Sequence, residues 1–401
     1  MSETALIMEP ELLKHIGLMF ISATVMAHVM RVIKQPLIIG YLLAGIIIGP
    51  AGLKLITNDE SIRTLSELGI AFLLFIVGVE LDLARLASVG LASSTIALAT
   101  TAIMMVVGIL LSQLLGFTGL APVYMGLVLS FSSTMIVIKM LSDKNELETL
   151  HGRIILGILL VQDVVAILAL SVLSTLEGVE SFSMIPLDQV FNAILMGAGM
   201  FSIALVAARF ILPSLFHAIS TNHELLFATA LSVFFIFTAI SSAIGFSIAV
   251  GAFMAGVAIA TFPYNLEIEW RVRSLRDFFV VLFFVSLGME IWFGDITETI
   301  LYAIPFILVI LLLKPAILMF STSMFRYGRR ISFLTAAGLA QISEFSLIVA
   351  MTGLALGHIN AQIFSMVALV SVATFTTTGY LIKYDNQVYK AISERLWVLE
   401  S

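Results

Sequence analysis

The sequence predicts an all-α, polytopic membrane protein, and three observations carry that prediction. Of its 401 residues, 60 % are hydrophobic and 11 % charged, with a mean hydropathy of +1.11. A soluble domain carries about 25 % charged residues, so this chain cannot cover its surface with polar groups. The apolar residues fall into thirteen runs, each close to the ~20 residues that a bilayer core requires of a helix. The basic residues gather on one side of those runs.

Taken in order, the runs lie at 12–30, 36–54, 62–80, 88–115, 121–141, 153–176, 189–212, 223–243, 246–262, 274–293, 299–324, 331–354 and 361–382, joined by short connections. Sixteen Lys and Arg, from Arg31 to Arg395, fall on one side, and only Lys14, Lys54 and Arg63 on the other. By the positive-inside rule this places the N-terminus outside and the C-terminus in the cytoplasm. Residues Met1 to His15 lack a basic start and a cleavage site, so they read as a short tail before a retained helix.

Other classes are excluded by the same residues. The net charge is −6 with no basic stripe, which argues against nucleic-acid binding. Cysteine is absent, so there are no disulfides, thiolate metal sites or cysteine nucleophiles. No Walker loop, G-x-G-x-x-G, G-x-S-x-G or His-x-x-x-His occurs, so neither an enzyme nor a cofactor is expected.

The chain also repeats itself. Gly40–Gly45 returns as Gly251–Gly256 at an offset of 211, and Gly78-Val79-Glu80-Leu81 as Gly288-Met289-Glu290-Ile291 at 210. Leu127–Ile138 aligns with Gly338–Val349 at 211, pairing Ser132 with Ser343. The offset spans seven helices, an odd number, so the second copy enters the membrane from the opposite side. Helices 2–6 and 9–13 then form two five-helix inverted repeats, the pattern of secondary transporters with a site near the midplane. Chance similarity between apolar helices is the competing reading.

Ionisable groups inside such spans are functional candidates. Asp163 sits about ten residues into the sixth span, where an unpaired charge is costly and binding a proton or a cation removes the cost. Gln162 beside it offers a neutral amide oxygen. Lys314, mid-span and followed by Pro315, is the natural counter-ion for such a carboxylate; snorkelling toward the outer face is the alternative. Pro315 is expected to kink its helix locally. Glu344 lies in the polar cluster Gln341-Ile342-Ser343-Glu344-Phe345-Ser346, whose repeat counterpart is Ser130-Phe131-Ser132-Ser133-Thr134. Such clusters can satisfy backbone groups freed by two unwound helices, or can glue helices together. Glu80, Asp82, Glu290 and Asp295 fall at span ends, where loop solvation is the default. His28, His151, His217 and His223 lie near cytoplasmic ends.

These residues resemble a known group. Gly40-Tyr41-Leu42-Leu43-Ala44-Gly45-Ile46-Ile47-Ile48-Gly49-Pro50 and Leu74-Phe75-Ile76-Val77-Gly78-Val79-Glu80-Leu81-Asp82 are similar to the second and third helices of the monovalent cation:proton antiporter-2 family. Leu129–Thr134 and Gln341–Phe345 resemble its two unwound helices, and Gln162-Asp163 its Kef-type potassium efflux branch, where sodium-selective relatives carry two aspartates. The resemblance implies the NhaA/NapA-like antiporter fold and a homodimer in the cytoplasmic membrane. It implies Asp163 as carrier of ion and proton, Gln162 as a source of potassium preference, and Ser132, Ser133 and Thr134 as lining of the crossing. Lys314 would pair with the carrier, and Glu344, with Ser343, would belong to the second unwound helix.

The implied domain is 1–382, with scaffold helices at about 12–54 and 189–262 and core helices at about 62–176 and 274–382, before a cytoplasmic amphipathic tail, 383–401. Kef-type relatives continue into a cytosolic nucleotide-binding regulatory domain responsive to glutathione; a short member or a chain cut before that domain is expected here. The implied function is K+ for H+ exchange by elevator-type movement, electroneutral if one carboxylate binds either ion. The alternatives are a Na+/H+ antiporter of the same fold and a K+ channel-like efflux protein.

Overall fold

Helices, turns and connecting segments make up all of the computed structural model that is described here, residues 3–57, 59–80, 90–176, 179, 187–219, 223–245, 247–260, 265–292 and 294–392. Every one of the thirteen expected spans holds helix, and the fifth and twelfth are each interrupted by non-helical residues, 131–133 and 339–343. Among the described residues nine helices are long and apolar enough to cross a membrane, while Leu37–Ile48, Ile248–Ala260 and Glu344–Ala355 are apolar but shorter. Leu81, Asp82, Arg85 and 393–401 lie outside the described residues, as do the side chains of His223, Arg271 and Arg273.

Contacts divide the chain into two units, Met1–Ala84 with Leu187–Trp292, and Arg85–Pro186 with Phe293–Ser401. The expected division put 62–80 and 274–293 with the core helices; they group instead with the first unit. Glycine is the physical reason. In the first unit, Leu37–Ile48 packs on Asn265–Met289 where Gly45 faces Gly288, and a Cβ on Gly45 would lie 2.8 Å from Gly288 Cα. Asp59–Glu80 packs on Ile248–Ala260 where Gly78 faces Gly256, and a Cβ on Gly78 would lie 2.9 Å from Gly256 Cα. Without side chains the backbones come close enough for dense van der Waals packing, the main attraction between helices in lipid.

The repeat maps Gly45 onto Gly256 and Gly78 onto Gly288. The two close approaches are therefore images of one another, and they support the inverted repeat over chance similarity. Phe72 stacks on Phe279 at 3.8 Å between centroids, joining the same helices from the side. Glu80 is exposed at its span end, as expected, and its carboxylate also pairs with Arg276 at 2.5 Å.

The second unit contains Leu91–Leu114, Ala121–Ser130, Thr134–Asp143, Leu150–Leu173, Ile296–Leu308, Lys314–Met324, Arg329–Gly338, Glu344–Ala355, Ala361–Lys383 and Asp385–Ile392. Side-chain caps start several of them: Thr149 accepts from Gly152 N–H, Asp295 from Glu298 N–H and Asn360 from Ile363 N–H. The kink expected at Pro315 takes the form of a π-helical turn, Val309–Leu313, just before Lys314. Proline supplies no N–H and its ring crowds the carbonyl four residues back, and a wider turn relieves both. Of the expected tail, Asp385–Ile392 is helical and packs Val388 and Tyr389 against Phe333, Leu334 and Ala337.

Candidate ion-binding site

Two helices of the second unit are broken mid-span. Ala121–Ser130 ends, Phe131 turns extended (φ −95°, ψ 155°), and the helix resumes at Thr134 with Ser133 as its cap. Arg329–Gly338 ends likewise, and the helix resumes at Glu344 behind Ser343. Each break frees backbone donors and acceptors that must be paired inside a membrane, and their partners explain most of the polar residues here.

Among the freed carbonyls, Val128 O accepts from Ser346 Oγ at 2.7 Å, Ser130 O from Gln162 Nε2 at 3.3 Å and Phe131 O from Lys314 Nζ at 2.7 Å. In the second break, Leu339 O accepts from Ser132 Oγ at 3.2 Å, Ala340 O from Thr378 Oγ1 at 2.7 Å and Gln341 O from Lys314 Nζ at 2.9 Å. Among the N–H groups, Ser132 donates to Gln162 Oε1 at 3.1 Å and Met135 to Glu344 Oε1 at 3.3 Å. Ile136 N–H finds Ser133 Oγ at 3.3 Å, Ser343 N–H finds Ser346 Oγ at 3.2 Å and Phe345 N–H finds Ser343 Oγ at 3.1 Å.

Asp163 stands on Leu150–Leu173 beside the first break, 6 % exposed. The Thr134 hydroxyl donates to its Oδ2 at 3.0 Å and Oδ1 at 3.2 Å. The carboxylate is thus tied to the residue at which the broken helix restarts. Lys314 is fully buried, so it does not snorkel; its ammonium bridges the carbonyls of both breaks. Cation at carbonyl ends and carboxylate at an N–H end complement the helix dipoles.

All the expected site residues therefore meet in one unit, with different divisions of labour. Ser132, Ser133 and Ser343 pair with backbone, Thr134 with Asp163, and Glu344 reaches across to the first broken helix. Gln162, expected to offer its oxygen to a cation, has both amide atoms on the backbone of the first break. Thr378 was not anticipated, nor were Ser346 and Gln341 as individual actors. A polar residue midway along an apolar span was the available signal for each.

Residues 18–384 match the model of a family described as sodium/hydrogen exchanger, transmembrane. The chain belongs to the sodium/hydrogen exchanger family. It is a multi-pass membrane protein. Among its relatives, K(+) efflux antiporter 5 of Arabidopsis thaliana is 30 % identical over 93 % of this chain and 66 % of its own length. The iron transporter MagA of Paramagnetospirillum magneticum is 30 % identical over 92 % of this chain and 85 % of its own. The Na(+)/H(+)-K(+) antiporter GerN of Bacillus cereus is 29 % identical over 94 % and 97 %. This chain thus spans just under two thirds of the plant relative. Among solved structures, the sodium proton antiporter MjNhaP1 of Methanocaldococcus jannaschii shares the exchanger fold, with a TM-score of 0.69 over 98 % of this chain and 99 % of that one, at 16 % identity.

Proposed function

We propose that this chain exchanges a monovalent cation, K+, for H+ across the cytoplasmic membrane, with Asp163 as the shared carrier. One observation carries the reading: a buried carboxylate, hydrogen-bonded to Thr134, beside a helix break whose backbone groups are held in place by side chains. An empty, ionised Asp163 is costly to move through a hydrophobic barrier, and a proton or a cation removes that cost. Only loaded forms then cross, and exchange follows.

Gln162 next to Asp163 is neutral, so one carboxylate trades one proton for one cation and the cycle is electroneutral. Ion and proton are handled by Asp163, Thr134, Ser132 and Ser133, with Lys314, Glu344 and Ser343 holding the breaks. The unit that carries Asp163, 85–186 with 293–401, is the mobile core of an elevator, and 1–84 with 187–292 is the scaffold and homodimer surface. The N-terminus lies outside and the C-terminus in the cytoplasm. Sodium is the second reading, favoured by the Bacillus cereus relative, whose name joins both ions.

The test is proton flux in proteoliposomes holding a pH-sensitive dye. Potassium should dissipate an imposed pH gradient in wild type and fail to do so in Asp163→Asn. A response to sodium alone moves the assignment to the second reading. Cation-driven flux that survives in Asp163→Asn overturns the carrier.

A further inference from the structure

Two buried glutamines stand at the breaks, and they are used differently. Gln162 Oε1 accepts from Ser132 N–H and Gln162 Nε2 donates to Ser130 O. Turning the amide over would set donor against donor and acceptor against acceptor, so its partners fix its orientation. The side chain stands in for a peptide group, closing the gap between two residues that the helix no longer joins.

Gln341 lies in the second break and is 0 % exposed, yet neither its Oε1 nor its Nε2 has a hydrogen-bond partner among the described residues. Its backbone carbonyl shares the Lys314 ammonium with that of Phe131 in the first break, which fixes the Gln341 backbone at the crossing. Three residues on, Glu344 Oε2 also has no hydrogen-bond partner among the described residues, while Oε1 of the same carboxylate accepts from Met135 N–H. Buried side-chain polar atoms nearly always have partners. Leaving a whole amide unpaired is costly unless something from outside the chain meets it.

We propose that the Gln341 side-chain oxygen, and not that of Gln162, is the neutral ligand offered to the transported cation at the crossing, and that Gln162 is a positioning residue. The proposal rests on the exchange reading above. It explains how an amide can help replace cation-bound water without adding a second negative charge. It assigns Gln162 an indirect effect on the ion, through the placement of Ser130 O and Ser132 N–H.

The experiment uses the purified full chain and two readouts: thermal unfolding in choline chloride and again in potassium chloride, and half-saturating K+ in the dye assay. Gln341→Met keeps the length of the side chain and removes its amide. It should unfold no earlier than wild type in choline, because no partner among the described residues is orphaned. It should lose most of the K+-induced rise in unfolding temperature and need about tenfold more K+ for half-saturation, the loss of one good ligand contact. Gln162→Met should unfold earlier in choline, because it strands two backbone groups.

Should Gln341→Met fail to fold, Gln341→Asn retains the amide but withdraws it by one methylene and should show the same lost response to K+. An unchanged K+ response and half-saturation in the Gln341 variants overturn the proposal. A drop in choline as large as that of Gln162→Met also overturns it, since the amide would then be serving the protein. If wild type shows neither K+-dependent stabilisation nor cation-driven proton flux, the exchange reading itself has failed, whatever the Gln341 variants do.

Discussion

Lys314 and Glu344 divide the broken helix ends between them: Lys314 Nζ takes the carbonyls of Phe131 at 2.7 Å and Gln341 at 2.9 Å, and Glu344 Oε1 takes Met135 N–H at 3.3 Å. Each sits on its own helix and serves another, so the two side chains lock the breaks together within the second unit. Backbone groups freed inside a membrane are costly to leave unpaired, and here these two side chains pair them.

Lys314→Met should therefore destabilise strongly. Each stranded carbonyl costs about 1–3 kcal/mol. Thermal unfolding in detergent should show a large drop, and Lys314→Arg a smaller one, since the charge is kept but the ammonium geometry is lost. A Met variant as stable as wild type would remove Lys314 from the role of tie.

Thr134→Val keeps the shape of the side chain and removes the hydroxyl proton shared by the two carboxylate oxygens of Asp163. Hydrogen bonds to a charged group contribute about 1.5–3 kcal/mol. Half-saturating cation in the proteoliposome assay should rise by about tenfold or more, with Thr134→Ser restoring most of it. Equal half-saturation in Val and Ser variants would show that the hydroxyl does not support the carboxylate.

The two glycine crossings should respond alike. A Cβ at Gly45 meets the Val285 carbonyl, and a Cβ at its image, Gly256, meets the Phe75 carbonyl. Overpacking of this kind costs about 1–3 kcal/mol. Gly45→Ala and Gly256→Ala should lower the unfolding temperature by similar amounts, and a lopsided pair of losses would break the symmetry argument.

His358 follows the helix Glu344–Ala355, and its Nδ1 lies 2.8 Å from the Tyr124 hydroxyl. Burial holds its pKa below the usual histidine value, opposed in part by the Leu176 carbonyl. The unfolded chain therefore binds a proton more readily than the folded one. The stability contributed by the neutral ring is complete above about pH 6.5 and falls as the pH drops below it. Unfolding temperatures measured from about pH 7.5 to 5 should decline more steeply in wild type than in His358→Gln; parallel curves would remove His358 as a cause.

Much of this was legible in the residues. Each of the thirteen apolar runs holds helix among the described residues, and the clusters at Ser130–Thr134 and Gln341–Ser346 marked the breaks, because polar side chains inside apolar runs have few other uses. The division of partners was not legible. Spacing places Lys314 and Gln162 mid-membrane but does not say which helix end each will meet. A break exposes backbone groups that no list of side chains shows, and those groups claim both atoms of the Gln162 amide and the Lys314 ammonium. The grouping of Asp59–Glu80 and Asn265–Met289 with the first unit depends on glycine faces that match only once the helices are placed side by side.

The paired crossings of Gly45 on Gly288 and Gly78 on Gly256 have the form of an isologous interface, in which one patch meets the copy of its own partner. Each repeat carries both halves of that contact, one on its first helix and one on its second. A duplicated ancestor of one repeat would have held everything needed to associate with itself, provided the two copies lay upside down to one another. Fusion of two such copies into one chain would make that orientation permanent and leave the halves free to differ, as they do here: the buried Asp163 lies in one and the buried Lys314 in the other.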